Sequence, residues 1–215
     1  MRSPILDHIP PPASVLERDG WEVAAHFGDV GTECEAAISQ TALRDASHLS
    51  RVHITGADHL SFLHRMSTNH FEELEDGSGF EAVFPDNKGR ILELGAFYHR
   101  GEATLAVLSP PARHTLLEWL DRYIFAEKIT LQDITEESAL LELCGPQAAA
   151  LTSAVLENDL EAVANHHLLG GLNMEAVWCM RLDRLGHPGL RLAGPVETVQ
   201  DIRKKLLDAG AAPCG

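Results

Sequence analysis

The chain has 215 residues, 45% hydrophobic and 23% charged, which is ordinary for a globular protein and enough for one large core or two small ones. A formal net charge of −15 argues against a nucleic-acid partner, which would want a basic face. No apolar run approaches a membrane span, and the start MRSPILDHIPPP lacks a charged stretch followed by an apolar one, so neither a membrane segment nor a secretory signal is expected.

Residues 1–12 read as a poorly ordered lead with a proline run, and VLERDGWEVAAHF as a short helix broken at Gly20. Glu33 to Ile38 is a second short helical stretch, and Thr41 to Asp45 a short strand. A unit then begins that recurs. Val52 to Thr55 is a strand, Gly56 a break, and Ala57 to Met66 a helix, with Leu60, Leu63 and Met66 on one face.

Phe80 to Tyr98, FEAVFPDNKGRILELGAFY, is the stretch that organises the chain. Two apolar runs flank Asp86-Asn87-Lys88-Gly89, which is turn chemistry, so the segment predicts a β-hairpin. Lys88 and Arg90 stand at its tip and Glu93 on its second strand. A carboxylate inside an apolar strand either alternates outward to water or faces a ligand, because burying it unpaired is expensive.

Thr104 to Leu108 is the next strand. Ser109 is read as an N-cap and Pro110 as the first residue of a helix running to about Arg122. Ile129 to Ile134 is a strand. Leu140 to Cys144, Gly145-Pro146 and the helix of QAAALTSAVL repeat the pattern. Strands at Leu172–Leu182 and Gly189–Leu192 follow, then a helix in VETVQDIRKKLLDA. This order predicts an α+β protein of two ferredoxin-like (split βαβ) units. The second unit should close with a strand, but Ala211 to Gly215 does not read as one, so an open sheet edge, filled by the N-terminal segment or covered in a homodimer, is expected.

Cys34, Cys144, Cys179 and Cys214 form no CxxC pair and read as buried free thiols, as in the reducing cytoplasm. The twelve histidines include no HExxH, and the adjacent His166-His167 point apart, so no metal site is expected.

From Thr41 to Gly215 several stretches together resemble one family. VHITGADHLSFLHRMSTNHFEELEDGSG is similar to the strand–Gly–helix and Ser-Thr-Asn segment of the folate-dependent aminomethyltransferases, the T protein of the glycine cleavage system and its relatives. The hairpin, WLDRYIFAEKITLQDIT, LLELCGPQAA and a worn Gly-Glu-x-Gly-Phe motif in LGHPGLRL resemble later segments, with His187 in place of that motif's glutamate. The resemblance implies a body in which 51–135 is a ferredoxin-like unit inserted into a discontinuous unit of 1–50 with 136–215. It further implies a truncated member, since the family's C-terminal barrel and its Arg-x-x-x-Leu-Arg-x-Glu stretch would lie beyond Gly215.

The activity so implied is tetrahydrofolate-dependent transfer of an aminomethyl carbon from a lipoylated carrier protein. Glu93 would be the catalytic carboxylate, and Asn69, Asn87, Lys88, Arg90 and Tyr98 would hold folate. In the glycine-cleavage branch the hairpin carries two consecutive aspartates, where this chain has Glu93-Leu94. The Asn-Lys-Gly-Arg turn is nearer the branch of folate-binding proteins that support iron–sulfur cluster assembly. A non-enzymatic folate binder of that kind, and an inactive fragment with no folate site, are therefore the alternatives.

The residues have bland readings too. Asn69 can terminate a helix, Lys88 and Arg90 can be a solvated tip, and Tyr98 can be core.

Overall fold

The computed structural model describes residues 1–6, 11–157, 160, 177–184 and 187–215. Residues 7–10 of the lead, His166-His167 and the start of the Leu172–Leu182 strand lie outside the described residues, as does the side chain of His187. The rest forms two compact units, Met1–His48 with Glu136–Gly215, and Leu49–Thr135.

The first unit opens with a hairpin rather than the expected helix. Strand β1 (Ser14–Arg18) pairs antiparallel with β2 (Trp21–His26) across Asp19 and Gly20, whose φ angles are 51° and 79°. An Asp-Gly pair accepts positive φ at both positions and so makes the turn whose twist matches two antiparallel strands. On β2, Trp21 and Val23 are buried while Glu22 between them is exposed. The start of the lead is also docked, not loose: Ile5 and Leu6 are buried, and Glu22 N donates to the Met1 carbonyl at 2.8 Å. Helix α1 (Val30–Ser39) follows, capped by Asp29, whose Oδ1 accepts from Thr32 N at 2.8 Å. Strand β3 (Ala42–Asp45) completes this part.

The second unit runs β4 (Ser50–Thr55), α2 (His59–Met66), a single 3-10 turn at Phe71–Glu73, β5 (Gly79–Pro85), β6 (Ile91–Arg100), β7 (Ala103–Leu108), α3 (Ala112–Asp121) and β8 (Thr130–Asp133). Its sheet has the order β5-β6-β7-β4-β8, with every pair antiparallel. Val52, Ile54, Phe84, Phe97, Ala106 and Leu108 on one face meet Phe62 and Leu63 of α2 and Leu116 and Leu120 of α3. Phe71 packs edge-on against Phe80 and Phe97, with ring centroids 4.8 and 5.2 Å away. Helix α3 starts two residues later than expected, with Pro111 at its cap and Ser109 engaged elsewhere.

Back in the first unit come β9 (Ser138–Cys144), α4 (Ala148–Leu156), β10 (Trp178–Arg184), β11 (His187–Pro195), α5 (Val196–Asp208) and β12 (Ala212–Cys214). The sheet order is β10-β11-β9-β3-β12. Leu141, Leu143, Leu190 and Leu192 meet Val199, Ile202 and Leu206 of α5 in its core. A closing strand is therefore present, and the edge expected to be open is occupied: β12 pairs parallel with β3. Pro213 hid it, because proline is tolerated only where a strand gives up a ladder bond, as at the end of a sheet. All four cysteines are free thiols, but Cys34 is exposed rather than buried, and only Cys179 is fully enclosed. No helix among the described residues is long and apolar enough to cross a membrane.

Candidate functional site

The β5–β6 hairpin is held by its turn. Asp86 Oδ1 accepts from Lys88 N at 2.8 Å and from Arg90 N at 3.0 Å, and its Oδ2 accepts from Arg90 Nε at 2.8 Å. These bonds, led by the one from Arg90 N, hold the Asp86 carboxyl below its usual range. Asn87, Lys88 and Arg90 are all exposed, and Arg90 is already ion-paired to Asp86 at 2.6 Å.

Glu93 lies opposite Phe84 on β6 and is only 5% exposed, so it does not alternate outward. The residues that face water are Ile91 and Leu94, 67% and 55% exposed. Ser109, between β7 and α3, supplies the partner that a buried carboxylate needs. Its Oγ donates to Glu93 Oε2 at 2.7 Å and its N to Oε1 at 3.4 Å. Burial raises the Glu93 pKa, and the two Ser109 bonds work against that rise. Sequence reasoning had placed Ser109 at a helix cap.

Tyr98 is on the same strand as Glu93 but five residues on, and no irregularity interrupts the register between them. Side chains alternate along a strand, so Tyr98 and Glu93 point to opposite faces of the sheet. Tyr98 is buried, and its ring lies against Gly79, its partner on β5. A single pterin over Glu93 therefore does not stack on Tyr98.

Asn69 follows α2 without capping it, since the helix ends at Met66 with Ser67 as its cap. The Asn69 Nδ2 donates to the Glu81 carbonyl of β5 at 3.1 Å, and its Oδ1 accepts from Thr68 Oγ1 at 3.1 Å. It lines a cleft of about 490 Å³ with His70, Glu73 and Phe80. A second cleft of this unit is lined by His59, His99 and Glu102. Neither cleft has Glu93 in its lining. The structure thus brings Glu93 and Ser109 together, puts Asn87, Lys88 and Arg90 on one tip, leaves Asn69 in a cleft whose lining lacks Glu93, and turns Tyr98 to the other face of the sheet. Among the described residues, no group of three His, Cys, Asp or Glu side chains is placed to hold a metal ion.

Residues 8–215 match the family described as the GCVT N-terminal domain. The chain is 25% identical over 218 residues to an aminomethyltransferase of Picosynechococcus sp., an alignment that covers 100% of this chain and 60% of the relative. It is 30% identical over 209 residues to an aminomethyltransferase of Rubrobacter xylanophilus, covering 94% of this chain and 55% of the relative. Its fold is similar to the crystal structure of the glycine cleavage system aminomethyltransferase T from Bartonella henselae, with a TM-score of 0.87 at 19% identity, over 99% of this chain and 59% of that one. The chain thus spans 55% to 60% of the length of these curated relatives.

Proposed function

The chain belongs to the GCVT N-terminal domain family, and from that premise we propose that it acts in aminomethyl transfer, the activity its relatives are named for, with tetrahydrofolate as the acceptor that the family resemblance implies. One observation carries the reading within this chain: the hairpin carboxylate is buried and hydrogen-bonded, not solvated. Glu93 is 5% exposed and held at both oxygens by Ser109.

An aminomethyl group passing to tetrahydrofolate goes through a carbon with iminium character, and a fixed carboxylate beside it stabilises the positive charge. The same carboxylate orients the folate amines for attack. Glu93 supplies both effects, with Ser109 as its positioning residue. Lys88 and Arg90 at the tip meet the carboxylates of the folate glutamate tail; Arg90 exchanges Asp86 for that partner, and Asn87 offers a side-chain amide beside them. Asn69 contributes through the β5 backbone it braces. A lipoylated carrier brings the one-carbon unit.

The topology supports the two-unit architecture that the family resemblance implies. In the second unit the connectivity β4-α2-β5-β6-β7-α3-β8, with β4 between β7 and β8, supports reading it as a split βαβ unit with β5 added at its edge. In the first unit β9-α4-β10-β11-α5-β12 has the same order, with β3 interposed between β9 and β12.

One observation favours a second reading. Leu94, exposed beside Glu93, stands where the family resemblance implies a second aspartate, so a folate binder that supports iron–sulfur assembly without transferring carbon is the rival. The test is methylenetetrahydrofolate formation from an aminomethylated lipoyl carrier. Turnover that falls about a hundredfold in Glu93→Gln supports the transferase. No turnover with intact folate binding moves the assignment to the helper, and absence of both identifies a fragment without a folate site.

A further inference from the structure

The first unit holds a cleft that the proposed reaction does not use. It has a volume of about 310 Å³ and lies between α1 and the face of the first sheet opposite its core. Val30, Cys34 and Ala37 line it from the helix, at positions three and four apart that form one helical face. Ala42 and Arg44 of β3 line it from the sheet. In the ladder Cys144 of β9 lies across from Ala42, and Cys214 of β12 across from Arg44, so all four side chains share one face. At about 30 Å³ for each water-sized group, the cleft has room for about ten.

Most of this wall is apolar or small. Burial pushes the Cys214 thiol up to about 12, so it stays uncharged and packs as a small hydrophobe. The wall's acid on α1, Glu33, already has donors: its Oε1 accepts from Phe27 N at 2.6 Å and its Oε2 from Gly215 N at 3.1 Å.

Arg44 is different, because its pairing is thin. Glu142 Oε1 accepts twice from Arg191, which leaves Oε2 for Arg44 Nη1 at 3.3 Å. That is longer than the roughly 2.7–2.9 Å of a strong charged bond. A guanidinium carries five N–H donors, and this contact is the one hydrogen bond of the Arg44 side chain among the described residues. Its side chain keeps 27% of its surface exposed, against 2% for Glu142, so a ligand in the cleft can reach it.

A guanidinium fork matches a carboxylate through two parallel N–H···O bonds, and apolar walls around one such group are the usual make-up of a small-molecule site. The net charge of −15 gives an anion no long-range attraction, so recognition has to come from contact with Arg44 and from the apolar wall. We propose that this cleft binds a compact monocarboxylate, its carboxylate on Arg44 and its aromatic or branched apolar body against Ala37, Ala42 and Cys34.

The test uses Cys34, which is exposed and lines the cleft, as a local reporter. Its alkylation by iodoacetamide in the 215-residue protein is timed by peptide mass spectrometry, with benzoate as the probe. The expected result is saturable slowing by benzoate, with benzamide, the same shape without the charge, at least about tenfold weaker. Acetate, which has the charge without the body, should also be much weaker than benzoate. Arg44→Met should weaken benzoate about tenfold, and Ala37→Leu, which fills the cleft and touches no charge, should abolish its effect. The comparison of the three probes on unaltered protein stands even where a variant fails to fold. No slowing by benzoate, equal slowing by benzamide or by acetate, or undiminished slowing in a folded Arg44→Met protein overturns the proposal.

Discussion

Ser109 holds Glu93 through two bonds, and these oppose the burial that raises the Glu93 pKa. Ser109→Ala removes the 2.7 Å bond and lets that pKa rise further. If the ionised carboxylate is what meets folate, the acid limb of the pH profile for folate binding shifts to higher pH in this variant. A merely structural serine would lower stability and leave the profile where it was. A different residue tests the frame around α2. Gly56 has φ of +108°, and a Cβ there would sit 2.0 Å from the Lys128 carbonyl oxygen. Both the conformation and the space forbid a side chain, so Gly56→Ala should lose more than about 2 kcal/mol in urea unfolding.

The Phe80–Tyr98 hairpin was legible in the sequence because two apolar runs around an Asx-Gly turn admit few other structures. Which face its residues take was not. Ile91 and Leu94 belong to an apolar run and are exposed, while Glu93, open between an outward and a ligand-facing reading, is buried. The register shift between Phe84 and Pro85, beside the turn of the hairpin, is invisible to a period-two pattern. β1 and β2 were misread because charged residues in VLERDGWEV suited a helix, although Asp19-Gly20 was the stronger local signal. The β12 strand was missed because three residues carry no periodicity, and it exists through pairing with β3, far away in sequence.

The face of the first sheet opposite its core carries another arrangement that the chain order concealed. Glu142 of β9 lies across from both Arg44 of β3 and Arg191 of β11. Its Oε1 accepts from Arg191 Nε at 3.0 Å and Nη2 at 2.9 Å, and its Oε2 from Arg44 Nη1 at 3.3 Å. Glu142 and Arg191 are both buried. Glu142→Ala withdraws the carboxylate from a buried guanidinium and should destabilise the protein by about 3–5 kcal/mol in denaturant unfolding. Replacing Glu142 and Arg191 together by leucine and methionine should recover much of that loss, because the penalty lies in the charge left behind.

At the scale of the molecule, acid sensitivity should trace to histidine as much as to carboxylates. His48 is buried, and burial followed by the nearby Arg44 charge lowers its pKa to about 4. In the unfolded chain its pKa returns to about 6.5, so between these values the unfolded state binds more protons. Stability is then full above about pH 6.5, falls as the pH drops toward 4, and stops falling on this account below it. His48→Phe should flatten that part of a plot of Tm against pH while leaving the neutral limb nearly level.

The central claim is that the buried hairpin carboxylate of this family member meets folate. The most direct measurement is calorimetric titration of the 215-residue protein with tetrahydrofolate, beside its Glu93→Gln variant. An amide keeps the shape and can still bond Ser109, so the variant should retain the parent Tm at neutral pH. The account predicts saturable binding by the parent and affinity at least about tenfold weaker in the variant. Equal affinity in both proteins, or no binding by either, would contradict it.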